Sequence, residues 1–327
     1  MPKNWKEFLR CDENKTELFS FLTHEAVNRP TPEGKELYAT DGTEVHCSPA
    51  DLCTDGLAPC LQEEADTRLF LHVADAVQKG CKKVTIRSVD TDVVVLSVAF
   101  FNNIAPDELW LAFGVGSNFR YLAIHEIVAS LTPTKCLTLP AFHAFTGCDT
   151  VSAFSGRGKK TAWETWKSFP DVTVALEELL NLTVGISETS MSLLERFVVL
   201  MYDRTSDCTE VNEARKYLFS RKSRTLENIP PTKAALREHI KRTIFQVHIW
   251  NQSLVLDPTV PDPSGWGWTK DPTGWQPFWT TLPEAAKSCH ELIRCNCRTG
   301  CNKRCSCVKA ALSCTAMCYC SGDCVRN

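Results

Sequence analysis

"EEADTRLFLHVADAVQKG" (63–80), followed by "KKVTIRSVDTDVVVLSVAFF" (82–101), decides the fold class. The first stretch places Ala65, Leu69, Val73 and Ala76 at three-to-four spacing. This predicts an amphipathic helix with Glu63, Glu64 and Asp66 in its first turn. The second opens with a β-branched run that reads as a strand, and Asp90 and Asp92 fall at its carboxyl end. Helix followed directly by strand predicts an α/β domain.

Carboxylates in such places have ordinary explanations, because acids complement a helix N-terminus and form turns after strands. A third stretch, "FHAFTGCDTVSAFSGRGKKTAWETW" (142–166), adds Asp149 on a predicted turn and a G-x-G-K-K element, Gly156 to Lys160, that opens a helix. Several acids brought to one end of a parallel sheet suit a particular chemistry. Two-metal phosphodiester cleavage needs carboxylates converging on Mg²⁺ or Mn²⁺ ions about 4 Å apart. Loops at the carboxyl ends of parallel strands are where they can meet.

The order and wording of these three pieces resemble the PIN-like, flap-endonuclease-type nucleases over about residues 45–165. On that resemblance Glu64 and Asp66 match the family's acidic helix start, Asp90 and Asp92 its D-x-D, and Asp149 its G-C/S-D turn. The resemblance implies that these five acids hold Mg or Mn and that Lys159 and Lys160 grip duplex phosphates. Family members begin with a strand carrying a central aspartate, whereas "MPKNWKEFLRCDENKTELFSFLTHEAV" (1–27) reads as helix. The expectation is therefore an N-terminally incomplete PIN-like domain, one carboxylate short and catalytically impaired. An active structure-specific DNA endonuclease and a non-catalytic interaction scaffold stand as alternatives.

The other end of the chain carries "CNCRTGCNKRCSCVKAALSCTAMCYC" (295–320) and then "SGDC" (321–324). Nine cysteines here supply the twelve thiolate positions of three tetrahedral zincs if three of them each bridge two metals. C-x-C neighbours are poorly placed for mutual disulfides, and with few apolar residues the segment would fold on its metal. The spacing C-x-C-x3-C-x3-C-x-C-x6-C-x3-C-x-C-x3-C resembles the CXC module of tesmin/TSO1-like proteins. That resemblance implies about three Zn ions on Cys295, Cys297, Cys301, Cys305, Cys307, Cys314, Cys318, Cys320 and Cys324. It also implies a DNA partner met through Arg298, Lys303, Arg304 and Lys309, or a protein partner. Arg304 stands where DNA-reading members carry tyrosine, so electrostatic rather than base-specific contact is expected.

Composition frames both readings. The chain has 327 residues, 43% hydrophobic, 23% charged, with a net charge of -3, which excludes disordered and fibrous classes. Its longest apolar run, 93–101, is too short to span a membrane, and the start lacks a signal-peptide core; the expectation is an intracellular, nuclear protein with no membrane partner. The nine cysteines before the tail read as ordinary thiols, and His125, His143 and His290 as structural.

"DELWLAFGVGSNFRYLAIHEIVASL" (107–131) reads as two further strands, or a strand and a helix, about the Gly114/Gly116 turn. Helical periodicity marks 171–250, with Arg221, Lys222 and Arg224 read as a solvated turn. Trp266, Trp268, Trp275 and Trp279 in a Pro/Gly-rich stretch are expected to pack onto the main domain, with base stacking as the alternative. The expected organisation is an α/β PIN-like parallel-sheet domain at 1–165, a helical extension at 166–250, a connector at 251–288 and a small zinc-organised CXC domain at 289–327.

Overall fold

A computed structural model describes residues 2–182, 185–220 and 228–280, and in the tail 294–297, 301–302, 305–309, 312–314 and 318–320. The cluster Arg221, Lys222 and Arg224, together with Cys289, His290, Arg298, Lys303, Arg304 and Cys324, lies outside the described residues. The chain is α/β with small mixed sheets, and it divides into two compact units. The first comprises Met1–Ala144, Leu176–Thr183 and Thr243–Asp262; the second comprises Phe145–Ala175, Val184–Arg242 and Pro263–Asn327.

The first unit opens with helices α1 (Trp5–Phe8) and α2 (Asp12–Val27), as the helical reading of 1–27 expects, and α2 buries no residue. A hairpin follows, β1 (Leu37–Asp41) against β2 (Glu44–Ser48), closed by a two-residue turn at Gly42 and Thr43. Gly42 has φ +57°, a left-handed conformation that glycine adopts without strain. Val45 turns inward against Leu57, Cys60 and Leu71, which anchors one face of the hairpin.

Helix α3 (Ala65–Gln78) forms where its periodicity expects one, but the buried face is Thr67, Arg68, Phe70, Leu71 and Val73; of the stripe read from sequence only Val73 is buried, Ala65 being exposed and Leu69 and Ala76 half-buried. It leads into β3 (Lys83–Ser88), α4 (Thr91–Ile104) and β4 (Glu108–Phe113), a β-α-β unit with β3 and β4 parallel. Phe70, Leu96, Leu109 and Leu111 are fully buried, each contributing about 1.5–3 kcal/mol. The parallel sheet expected from sequence is corrected here: β5 (Arg120–Ala123) pairs antiparallel to β4. Only six residues separate β4 from β5, too few for the crossover that parallel pairing needs. Helices α5 (Ile124–Ser130) and α6 (Pro133–Phe145) complete this stretch.

The second unit is mainly helical: α7 (Lys159–Ser168), α8 (Val172–Glu178), α9 (Glu188–Tyr202), α10 (Val211–Ser220) and α11 (Lys233–Asn251). Helix α8 leaves this unit after Ala175, and α11 after Arg242. Glu195 is 1% exposed; its carboxylate pairs with Lys233 at 2.8 Å and accepts the Val211 amide at 3.3 Å. His239 donates Nε2–H to the Phe145 carbonyl at 2.8 Å, so Nδ1 accepts from Ser152 at 3.3 Å. Burial holds its imidazole neutral, lowered to about 4.

The connector forms a second hairpin, β6 (Trp268–Asp271) against β7 (Gly274–Pro277). Trp266 is buried and Trp268 half-buried, while Trp275 and Trp279 are exposed, the latter 78%, so the expectation that all four tryptophans pack inward fails for these two. Among the described residues, no helix is long and apolar enough to cross a membrane.

Candidate metal centres

Among the tail's described residues sulfur takes the place of an aliphatic core. Cys295, Cys301, Cys305, Cys307 and Cys318 are buried, with Cys297, Cys314, Cys320 and Val308 packed against them. Backbone bonds wrap the chain round the thiols: Tyr319 donates to the Cys295 carbonyl at 2.9 Å, Leu312 to Cys307 at 2.9 Å, and Lys309 to Cys305 at 2.9 Å. The last of these closes the single turn α12 (Ser306–Lys309).

The sulfur spacings decide what this core can hold. Sγ–Sγ distances are 3.7 Å for Cys295–Cys301, 3.8 Å for Cys295–Cys314, 3.6 Å for Cys301–Cys314 and 3.5 Å for Cys307–Cys318. Cys320 stands 3.7 Å from Cys295 and 3.8 Å from Cys301. A disulfide would require about 2.05 Å. Four thiolates about 2.3 Å from a tetrahedral zinc stand about 3.8 Å apart, so the donors present fit zinc.

Among the described residues two four-thiol groups stand within ligand reach, Cys295, Cys301, Cys305 and Cys314, and Cys295, Cys307, Cys314 and Cys318. Cys295 and Cys314 belong to both, which is what a bridging ligand does. The Val308 amide donates to Cys305 and brings its thiol down to about 6, within reach of thiolate at neutral pH. Burial pushes Cys307 up to about 12 and Cys297 to about 11, a penalty on the anion that a bound cation would offset.

The acids divide differently. Asp90 is the N-cap of α4, its Oδ1 accepting the Asp92 amide at 2.8 Å while the Ser88 hydroxyl receives the Asp90 amide at 3.0 Å. Asp92 Oδ1 lies 2.7 Å from His143 Nε2, both side chains largely buried. The pairing spans 51 residues, and only the occurrence of a histidine on the apolar face of α6 hinted at it.

Glu64 occupies the N-cap position of α3 without capping it. Burial raises its carboxyl group, and the charges of Asp66, Asp92 and Glu63 act in the same direction, against a hydrogen bond from Gln246. Glu64 lines a cavity of about 400 Å³ with Gln62, Glu63 and Thr67. The Gln62 amide donates to the Gln252 and Val255 carbonyls at 3.0 and 2.6 Å, while its buried Oε1 has no hydrogen-bond partner among the described residues.

Asp149 is exposed in the second unit, on a bend after Gly147. Gly147 has φ +110°, and a Cβ there would stand 2.7 Å from that of Ala153, so this turn requires glycine. Lys159 Nζ donates to the Gly147 carbonyl at 2.5 Å and to Thr146 Oγ1 at 3.2 Å, bracing the turn; Lys160 is exposed. Lys309 is exposed on α12, whereas Arg298, Lys303 and Arg304 lie outside the described residues.

Comparison with protein-family models, with curated proteins and with solved structures returns no match.

Proposed function

We propose that this chain is a zinc-containing, nucleic-acid-associated protein. Its tail is a CXC-type three-zinc module, and its acid-bearing α/β region is a PIN-like, nuclease-type domain with impaired catalysis. The observation that carries the reading is the tail's sulfur spacing of 3.5 to 3.8 Å, which suits a thiolate cluster and no disulfide. Zinc would supply the tail's folding energy and present its cations on a rigid frame. The impaired state is favoured by the engagement of two matched acids: Asp90 holds its own helix's amide and Asp92 is bound to His143.

Binding to duplex DNA would then be electrostatic. With two to four phosphate contacts, the slope of log K against log salt should be on the order of -2 to -4, with little sequence preference. Steep discrimination between unrelated duplexes would contradict this.

A working Mg²⁺- or Mn²⁺-dependent endonuclease is the second reading. It is favoured by the Glu64 cavity, where a raised carboxyl group and the unpartnered Gln62 oxygen are hard donors of the type those ions take. Cleavage assays with Mn²⁺ on flap, nicked and single-stranded DNA separate the two. The impaired reading predicts little or no product, and turnover abolished by Glu64→Gln would establish the enzyme instead.

A further inference from the structure

Among the described residues outside the tail, one further group of side chains has metal-ligand chemistry. His24 lies in the last turn of α2, Asp41 ends β1, and His46 sits in β2. In the hairpin register Asp41 pairs with Glu44 and Ala39 with His46, so Asp41 and His46 share one face. Val45 takes the other face to the core. His24 Nε2 comes within 3.3 Å of Asp41 Oδ2, His46 Nε2 within 3.8 Å of the same oxygen, and the two rings lie 4.8 Å apart.

We propose that His24, Asp41 and His46 form a second metal site, a two-imidazole, one-carboxylate centre for Zn²⁺ with water completing the coordination sphere. All three donor atoms lie within 4.8 Å of one another. Donors about 2.0–2.1 Å from a tetrahedral zinc stand about 3.3 Å apart, so one pair is already at ligand spacing and the others need only small side-chain rotations. The His24 contact stands just beyond, and the His46 contact well beyond, the usual 2.7–3.2 Å of an N–H···O hydrogen bond, so both rings converge on Asp41 at ion-pair distance. The hydrogen bond that Asp41 Oδ2 accepts comes from Ser20, one turn before His24 on α2, at 2.8 Å, and this orients the carboxylate as an outer-shell partner does. Side-chain exposures of 55% for His24, 39% for His46 and 21% for Asp41 leave the metal open to water.

Two neutral imidazoles and one carboxylate would leave a net charge of +1 on bound Zn²⁺. The site also has a mechanical consequence. Helix α2 buries no residue, and its Phe19, Phe21 and Leu22 are exposed, so a metal joining His24 to the hairpin would pin a helix that apolar burial holds weakly.

The test is a Co²⁺ titration of the full chain after its thiols are saturated with zinc. One additional Co²⁺ per chain is expected, with the weak visible bands of nitrogen and oxygen ligands and no thiolate charge-transfer band. His24→Ala, His46→Ala and Asp41→Asn should each weaken it at least ~10-fold, while His72→Ala leaves it unchanged. Hydrogen exchange in α2 should slow on binding in the parent chain and not in Asp41→Asn. An absence of additional cobalt, a spectrum with no nitrogen- and oxygen-ligand bands, or an affinity in His24→Ala and Asp41→Asn equal to that of the parent chain would overturn the proposal. Tail thiols free of zinc would add thiolate bands equally to the parent and to Asp41→Asn, so the parent-minus-variant difference in bound cobalt and in α2 exchange reports the triad whether or not the tail holds zinc.

Discussion

The sulfur-cored tail and the α/β region around α3, β3 and α4 solve the same problem with different materials. In the α/β region Phe70, Leu96 and Leu109 exclude water and the acids sit at the margin; in the tail Cys295, Cys301 and Cys307 occupy the interior themselves. Apolar burial needs many residues from distant elements, whereas a thiolate centre needs four donors. On the proposed reading the tail can therefore be small, but its stability would belong to the metal.

Metal removal should separate the two regions most sharply. Zinc held by thiolates is worth about 10–16 kcal/mol per structural site, so strong chelation should abolish the tail's exchange protection and leave the thermal transition of the α/β region in place. Phe70→Ala should do the reverse, destabilising the first unit by about 3–5 kcal/mol while zinc content stays constant. A single transition that moves under both treatments would break the comparison.

A smaller effect comes from acid. His239 titrates near 6.5 when unfolded and near 4 when folded, so between those values the unfolded state binds the extra proton. Its contribution is fully present above pH 6.5 and is lost as pH falls towards 4, up to about 3 kcal/mol. His239→Gln should flatten that part of the stability profile of the second unit; an unchanged profile would assign the loss to other groups.

Asp90 gives the smallest effect and sharpens its own role. Asp90→Ala should cost about 1 kcal/mol through loss of the α4 cap, whereas Asp90→Asn keeps the cap and removes only the charge. If Mn²⁺ binding falls in Asp90→Asn while stability holds, the carboxylate is a ligand as well as a cap.

These differences track what sequence could show. The tail was legible because its donors repeat at short spacing, and eight of nine appear in one cluster with Cys324 outside the described residues. Helix α3 and strand β3 were legible because periodicity and β-branching act locally. The antiparallel β5 was not, because strand direction depends on a short connection rather than on strand residues. The Asp92–His143 pair and the His24–Asp41–His46 group escaped because their members come from separate elements with no motif spacing. Of the matched acids, Asp90 caps its own helix and the charges of Asp66 and Asp92 act on Glu64, while Asp149 belongs to the second unit.

The central claim is the thiolate zinc cluster, and native mass spectrometry of the full chain tests it most directly. Cys295 and Cys314 belong to both four-thiol groups, so removing both as Cys295→Ser/Cys314→Ser should dismantle the whole cluster. The parent chain should carry about three more zinc ions than this variant. A difference of one or none, or a parent mass showing oxidised cysteine pairs in place of metal, would contradict the account.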